Sequence, residues 1–411
     1  MKDVSQSDST DNATSQPGDF SDATYLLHSG PAPSRQQGVL NPPIYRASTI
    51  IYDDVDSYVD RRSRFFDGVM YGLYGTPTTQ ALADAISHLE GGTGTVITGS
   101  GTAAIACALG AFVGAGDHII VADTVYGQTR NYCEEILTRF GVEISYFAPD
   151  QLDRLEAMIK PTSKLIFLES PGSQTFEMID VPQIVTLADK HGLLTAIDNT
   201  WATPLFYKPL REGVDISIQS GTKYLSGHSD VMLGSISANN RPLFEQLKKT
   251  AGSNGHMASP DDCYLVHRGM RSLDIRMARH QENAQILMTW LAQQPEVCRI
   301  LSPAWKDDSG HAIWMRDFSG ASGLFGVAFH KHHATRLPLL IDSLQLFRIG
   351  SSWGGYESLV VPVYPKPARH YPSDRLENPV IRFHGGLEAP EDLIRDLEKA
   401  FHVLRNSSGS E

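Results

Sequence analysis

Cysteine is scarce: Cys107, Cys133, Cys263 and Cys298 are the only four among 411 residues, and none has a partner at a paired spacing. That scatter excludes a disulfide framework and a cysteine-rich zinc site, and it fits a reducing cytoplasm. Basic residues are also in deficit. Lys and Arg total 35 against 47 Asp and Glu, giving a formal net charge of -12 and a pI near 5.7. A general nucleic-acid binder would want a basic face, so small molecules are the expected partners. The opening MKDVSQSDSTDNATSQPGD lacks the basic start and apolar centre of a signal peptide, and residues 1–22 are expected to form a disordered polar arm. Long apolar runs are missing too. Gly91 to Gly116 carries no charge and has the length of a membrane span, but GGTGTVITGSGT is too rich in glycine and hydroxyls. AAIACALGAF then suits a helix buried in a soluble core, so no membrane association is expected.

What is present is a 41% hydrophobic chain, long enough to bury a large core in more than one domain. Residues 23–72, with PPIYRASTIIYDDVDSYVDRRSRF, show no sustained periodicity and read as an extended segment wrapped around something else. Over 73–270, short apolar runs alternate with helical ones: TVIT and AAIACALGAF, HIIVAD and NYCEEILTRFG, KLIFLES and VPQIVTLADKHG, LLTAID and DISIQS. Such alternation predicts an α/β domain with a mostly parallel sheet, whose ligands bind beyond the carboxyl ends of the strands. Several of these runs end in Asp, Glu or Ser. Over 271–411 a helix, the strand GLFGVAFH, the segment PVIRFHGGLE and the amphipathic EDLIRDLEKAFHVL predict a smaller α+β domain.

Three constellations carry chemistry. TGSGTAA, from Thr98 to Ala104, joins a strand to a helix, where free N–H groups and close backbone approach favour an anion such as phosphate. The same residues satisfy G-x-G-x-x-A, with Asp123 where a ribose-binding acid would stand, so a nucleotide-dependent oxidoreductase is a rival. Asp198 and Lys223 each follow an apolar run, and adjacent strands would bring them to one sheet edge. A dehydrogenase leaves that pair unexplained. Pyridoxal phosphate explains it, needing a lysine for its aldehyde, an acid for its pyridine nitrogen and a phosphate cradle. A cavity of Ser, Thr and Gly near a cationic ring would keep the lysine amine deprotonated. Ser220 with Lys223 also spells S-x-x-K, but the companion S-D-N and K-T-G elements are absent. Tyr126 could stack on a ring. Arg382, inside an apolar strand, should meet either a substrate carboxylate or a buried acid. HKHHATR reads as a solvated turn without a closed ligand set, and no metal is expected.

At these residues the chain resembles the trans-sulfuration family of pyridoxal-phosphate enzymes, through YGLYGTPTTQAL, LEGGTG, FLESPGS, IDNTW, TKYLSGHSD, HAIWMRDFSGASGLF, SSWGGYESL and IRFHGGLE. The resemblance implies fold type I, with a mostly parallel seven-stranded-type sheet domain and a smaller carboxyl-terminal α+β domain. It implies that Lys223 holds the cofactor, Asp198 its pyridine nitrogen, and Gly101, Thr102, Ser220 and Thr222 its phosphate, with Tyr126 stacked on the ring. Arg382 would bind the substrate α-carboxylate with Ser352, beside Trp353 and Tyr126. Tyr71 would reach a neighbouring subunit's phosphate in a homotetramer with shared sites, joining Lys223 and Tyr126 as a catalytic residue. Leu73 stands at the family's arginine position, and Ser351 where members acting at the γ-carbon carry glutamate. S-W-G-G resembles β-lyases, so a carbon–sulfur β-lyase acting on an amino-acid thioether such as cystathionine is expected. A γ-lyase, a γ-synthase or a cysteine-conjugate β-lyase are the alternatives within this chemistry.

Overall fold

The computed structural model describes residues 20–363 and 368–406. Most of the expected polar arm therefore lies outside the described residues. Seven strands form the larger sheet: β1 (Gly94–Thr98), β2 (His118–Ala122), β3 (Glu143–Phe147), β4 (Ser163–Glu169), β5 (Leu194–Asp198), β6 (Ile216–Gln219) and β7 (Gly234–Ala238). Their spatial order is β1-β7-β6-β5-β4-β2-β3. β3, β2, β4, β5 and β6 run parallel, whereas β7 is antiparallel to both of its neighbours. The mostly parallel sheet is as expected.

The parallel strands are apolar almost throughout because helices cover both faces. Ile119, Ile120, Val121, Leu165, Ile166 and Phe167 are all sealed from solvent. The helix Gly101–Gly110 follows β1 directly, its first turn closed by Ser100, whose Oγ accepts the N–H of Ala103 at 3.1 Å. It buries Ala104, Cys107 and Ala108 completely, which explains the small side chains of AAIACALG. β3 and β7 were not among the expected strands. β7 is GSISA, whose serines hide its burial, and one of them, Ser237, shares a 2.8 Å hydroxyl hydrogen bond with Thr95 of β1.

The smaller sheet has the order β10-β11-β12-β9-β8, from β8 (Val297–Leu301), β9 (Leu324–Phe329), β10 (Arg348–Ile349), β11 (Leu359–Pro362) and β12 (Val380–His384). The final helix, Pro390–Asn406, lays Leu393, Leu397, Ala400, Phe401 and Leu404 on it, a stripe at helical spacing. Between the sheets Arg375 grips Asp308 with two 2.7 Å bonds and donates to the carbonyl of Thr175. Both charged groups are almost wholly buried. Removing one partner strands the other, so Asp308→Ala is expected to destabilise the protein by about 3–5 kcal/mol. The midpoint of urea unfolding checks this, and an unchanged midpoint would refute it.

Two expectations about local structure differ from what is observed. The segment expected to be extended contains the short helices Asp22–His28 and Val55–Asp60, opened by the side-chain caps Ser21 and Asp54. Such caps are local signals that a search for long periodicity passes over. HKHHATR is a 3-10 helix over Lys331–Arg336, not an open turn, and it is largely exposed. Among the described residues no helix is long and apolar enough to cross a membrane, and no cluster of His, Cys, Asp or Glu is arranged to hold a metal.

Candidate active site

The carboxyl ends of β4, β5 and β6 open onto a cavity of about 330 Å³, closed on its far side by the loop Ser351–Gly354 and by Arg382 of β12. Gly101, Thr102, Tyr126, Asp198, Ser220, Thr222, Lys223, Ser352, Trp353 and Arg382, all candidates from sequence, line it. Tyr71 does not. It is half exposed, at the start of the turn Gly72–Tyr74, and Leu73 and Tyr74 face a separate, smaller cavity with Arg241 and Lys248. Within one chain Tyr71 is thus not brought to the site.

Each side chain is held by the local fold. Lys223 sits in the turn after β6, its N–H bonded to the carbonyl of Ser220 at 3.0 Å. Its Nζ donates to Ser352 Oγ at 2.7 Å and lies 5.4 Å from the centre of the Trp353 ring. Burial, then the positive charge of Arg382, bring the amine down to about 8, with Asp198 opposing. Gly354, at φ +84, lies so close that a Cβ would come within 3.1 Å of the Lys223 backbone, and only glycine takes that conformation readily. Its N–H is received by His384 Nε2 at 3.1 Å, so β12 fixes the loop beside the lysine.

Asp198 closes β5. One of its oxygens accepts both the N–H of Thr200 at 3.0 Å and its hydroxyl, while Thr200 in turn accepts the N–H of Ser220 at 2.9 Å. Burial pushes the Asp198 carboxyl up, and the Thr200 bonds and Lys223 pull it back. On the opposite side, a Cβ on Gly101 would meet the side chain of Ser220 at 2.8 Å, so the glycine lets two hydroxyl-bearing loops approach around one small volume. Arg382 donates to the carbonyls of Ser351 at 2.9 Å and Ser352 at 3.2 Å. No carboxylate pairs with it among the described residues, and burial pulls it down to about 10. Of the two readings of this arginine, the buried acid is therefore not found.

Glu169, at the end of β4, was not singled out from sequence, although it ends one of the strands whose final Asp, Glu or Ser marked the ligand edge. It lines the cavity and accepts the N–H of Tyr126 at 2.6 Å. Asp123, by contrast, is already engaged. It pairs with buried Arg130 at 2.5 Å and accepts the N–H groups of His370 and Tyr371. A ribose hydroxyl has no place there, and β1, which precedes the glycine loop, is an antiparallel edge strand. The oxidoreductase reading loses both of its supports.

An amine kept nucleophilic, a buried carboxylate at the neighbouring strand end, and a glycine-and-hydroxyl cradle at a helix amino terminus suit one kind of guest, an aldehyde-bearing pyridine phosphate. Fold and site together define a pyridoxal-phosphate-dependent enzyme. Residues 23–402 match the family described as Cys/Met metabolism PLP-dependent enzyme, and the chain belongs to that family, with pyridoxal 5'-phosphate as its cofactor. It is 41% identical over 384 residues to a putative cystathionine beta-lyase of Rhizobium johnstonii, covering 92% of this chain and 95% of that one. With the cystathionine beta-lyase of Escherichia coli it shares 38% identity over 385 residues, 92% and 97% of the two chains. Among solved structures, the cystathionine gamma-lyase of Lactobacillus plantarum complexed with L-serine superposes with a TM-score of 0.86 at 31% identity, over 94% of this chain and 100% of that one.

Proposed function

We propose that the protein is a carbon–sulfur β-lyase that converts cystathionine and water into homocysteine, pyruvate and ammonia, in methionine biosynthesis. The observation that carries this reading is Trp353, standing with Ser352 over the Lys223 amine where a γ-acting member would present glutamate at Ser351. The similarity to two β-lyases supports it. When bound, pyridoxal phosphate supplies an electron sink for the charge that develops at the substrate α-carbon. The protein's residues do the rest. Arg382 receives the α-carboxylate and fixes the orientation of the α C–H bond. Lys223 Nζ, free of its proton and steered by Ser352, removes the α proton. Trp353 screens the leaving sulfur from water. Tyr126 covers the open face, while Thr102, Ser220 and Thr222 hold the phosphate with the helix terminus.

The test is incubation of the cofactor-loaded enzyme with cystathionine and identification of the keto acid. Pyruvate with homocysteine is expected. 2-Oxobutyrate would move the reading to γ-cleavage, and no keto acid at all would move it to another thioether. The amine predicts a second result. With its pKa near 8 in place of the usual value, Lys223 capture of pyridoxal phosphate by the unloaded chain should accelerate as pH rises and level off above about 8. Arg382→Leu removes a neighbouring positive charge, so the midpoint should move upward. A midpoint near 10 in the parent chain would show that the amine is not perturbed.

The same reading takes residues 23–72 as the segment that meets a neighbouring subunit, 73–270 as the cofactor-binding domain and 271–411 as the smaller domain, in a cytoplasmic homotetramer with shared sites. Apolar side chains left open along the first segment support the assembly. Ile51 is 87% exposed and Val55 75%, with Leu40, Tyr58 and Val59 also open to solvent. Tyr71, on the same stretch, is available to a neighbour's cavity.

A further inference from the structure

Two carboxyl side chains stand side by side at the ligand edge of the sheet, and only one of them, Asp198, is expected to meet the pyridine nitrogen. β4 and β5 are parallel neighbours whose register pairs Glu169 with Asp198, the last residue of each strand. Paired positions on adjacent strands share a face, and both side chains line the cavity. Their hydrogen-bond supply is unequal. Among the described residues Asp198 accepts two donors, the N–H and hydroxyl of Thr200, whereas Glu169 accepts one, the N–H of Tyr126. No cation pairs with Glu169 among the described residues. Arg369, the cation that acts on it from the loop beyond β11, is directed to Glu177 at 3.6 Å and to the hydroxyl of Thr175. Lys223 and Arg382 share the cavity without forming an ion pair with it. Two neighbouring carboxyls in such a setting do not both ionise, and the better-solvated one keeps the charge.

We propose that Glu169 carries a proton in the working enzyme and acts as a positioning residue: neutral, it ties the backbone of Tyr126 to the strand edge and leaves Asp198 as the single carboxylate facing the pyridine nitrogen. The inference rests on the cavity being a pyridoxal-phosphate site and adds to that reading a rule for which acid is charged. The direction of titration agrees, since burial and then the charge of Asp198 hold the Glu169 carboxyl well above its usual range, against the pull of the Tyr126 N–H. A proton on Asp198 instead would weaken both Thr200 bonds and deprive a protonated ring nitrogen of its counter-ion.

Infrared spectra of the cofactor-loaded protein at pH 7 decide where the proton is. The parent chain should show a protonated-carboxyl carbonyl band that Glu169→Gln lacks. In Asp198→Asn the same band should disappear at a lower pH than in the parent, because the neighbouring charge is gone. A spectrum unchanged by Glu169→Gln, or a band removed by Asp198→Asn at every pH, overturns the proposal. Cofactor affinity gives an independent readout. Glu169→Gln, neutral and able to receive the Tyr126 N–H, should stay within about threefold of the parent, while Glu169→Ala, which strands that N–H, should weaken binding about tenfold. Equal loss in both variants would mean that the site needs the ionised acid, and would overturn the proposal. If the parent shows no absorbance of lysine-bound cofactor, the reading of the cavity fails instead. The infrared comparison on the unloaded chain then still locates the proton.

Discussion

Lys223→Ala should abolish turnover, remove the visible absorbance of lysine-bound cofactor and leave the fold intact. General-base assistance alone is worth a factor of about 10²–10⁴, and the same variant loses the covalent anchor, so a fall in kcat of at least about 10⁴ is expected. Retained activity would sink the assignment of this lysine. The fold survives because the turn around position 223 is held by main-chain bonds, from the residue's own N–H to the Ser220 carbonyl and from the Gly227 N–H to its carbonyl. Among the described residues its side chain makes one hydrogen bond, to Ser352. The unloaded variant should also be slightly more stable than the parent at neutral pH. The amine titrates near 8 when folded and near its usual value of about 10.5 when unfolded, so the unfolded chain binds the proton more tightly. Below about 8 the lysine therefore destabilises the fold in full. That effect fades as the pH rises towards 10.5, and so should the difference in melting temperature between variant and parent.

The sequence shows this site where local signals coincide with chemistry. Asp198 and Lys223 each end an apolar run, and parallel pairing of β5 with β6 carries both to one edge. TGSGTAA marks an anion cradle at a helix amino terminus, but by itself it does not separate pyridoxal phosphate from a dinucleotide. Other features depend on contacts that no spacing encodes. Asp123 fits a ribose-binding acid by its distance from the glycines, and its pairing with buried Arg130 and the backbone N–H groups of His370 and Tyr371, far along the chain, reveal it as structural. Glu169 is disguised as an ordinary strand end until the β4–β5 register sets it against Asp198. β7 escapes notice because GSISA alternates serine with small residues around a single isoleucine and so has no apolar run, yet every one of its residues is buried between β1 and β6. Arg382 left two readings open, and the absence of a carboxylate beside it among the described residues distinguishes them.

Arg382→Leu should lower kcat/KM for cystathionine by about 30-fold to several thousand-fold, the equivalent of the roughly 2–5 kcal/mol lost when one side of a buried charge pair is truncated. Arg382 is 7% exposed and its guanidinium already donates to the carbonyls of Ser351 and Ser352, so its orientation is set before substrate arrives. A carboxylate entering the cavity meets a charge that has already lost its water and has no competing acid, and the interaction is correspondingly strong. Most of the effect should fall on KM, with a smaller fall in kcat because the α C–H bond is less well aligned with Lys223. Arg382→Lys keeps the charge but not the planar fork, and should recover only part of the loss. The control is a substrate amine lacking the α-carboxylate, which should react equally poorly with parent and variant. A loss of less than about fivefold for cystathionine, or an equal loss for the carboxylate-free amine, would make Arg382 a support for the Ser351–Gly354 loop alone. Stability separates those cases further. As a substrate anchor the arginine is an unpaired buried charge in the unliganded protein, so leucine in its place should leave the urea midpoint unchanged or raise it, whereas a loop support should lower it.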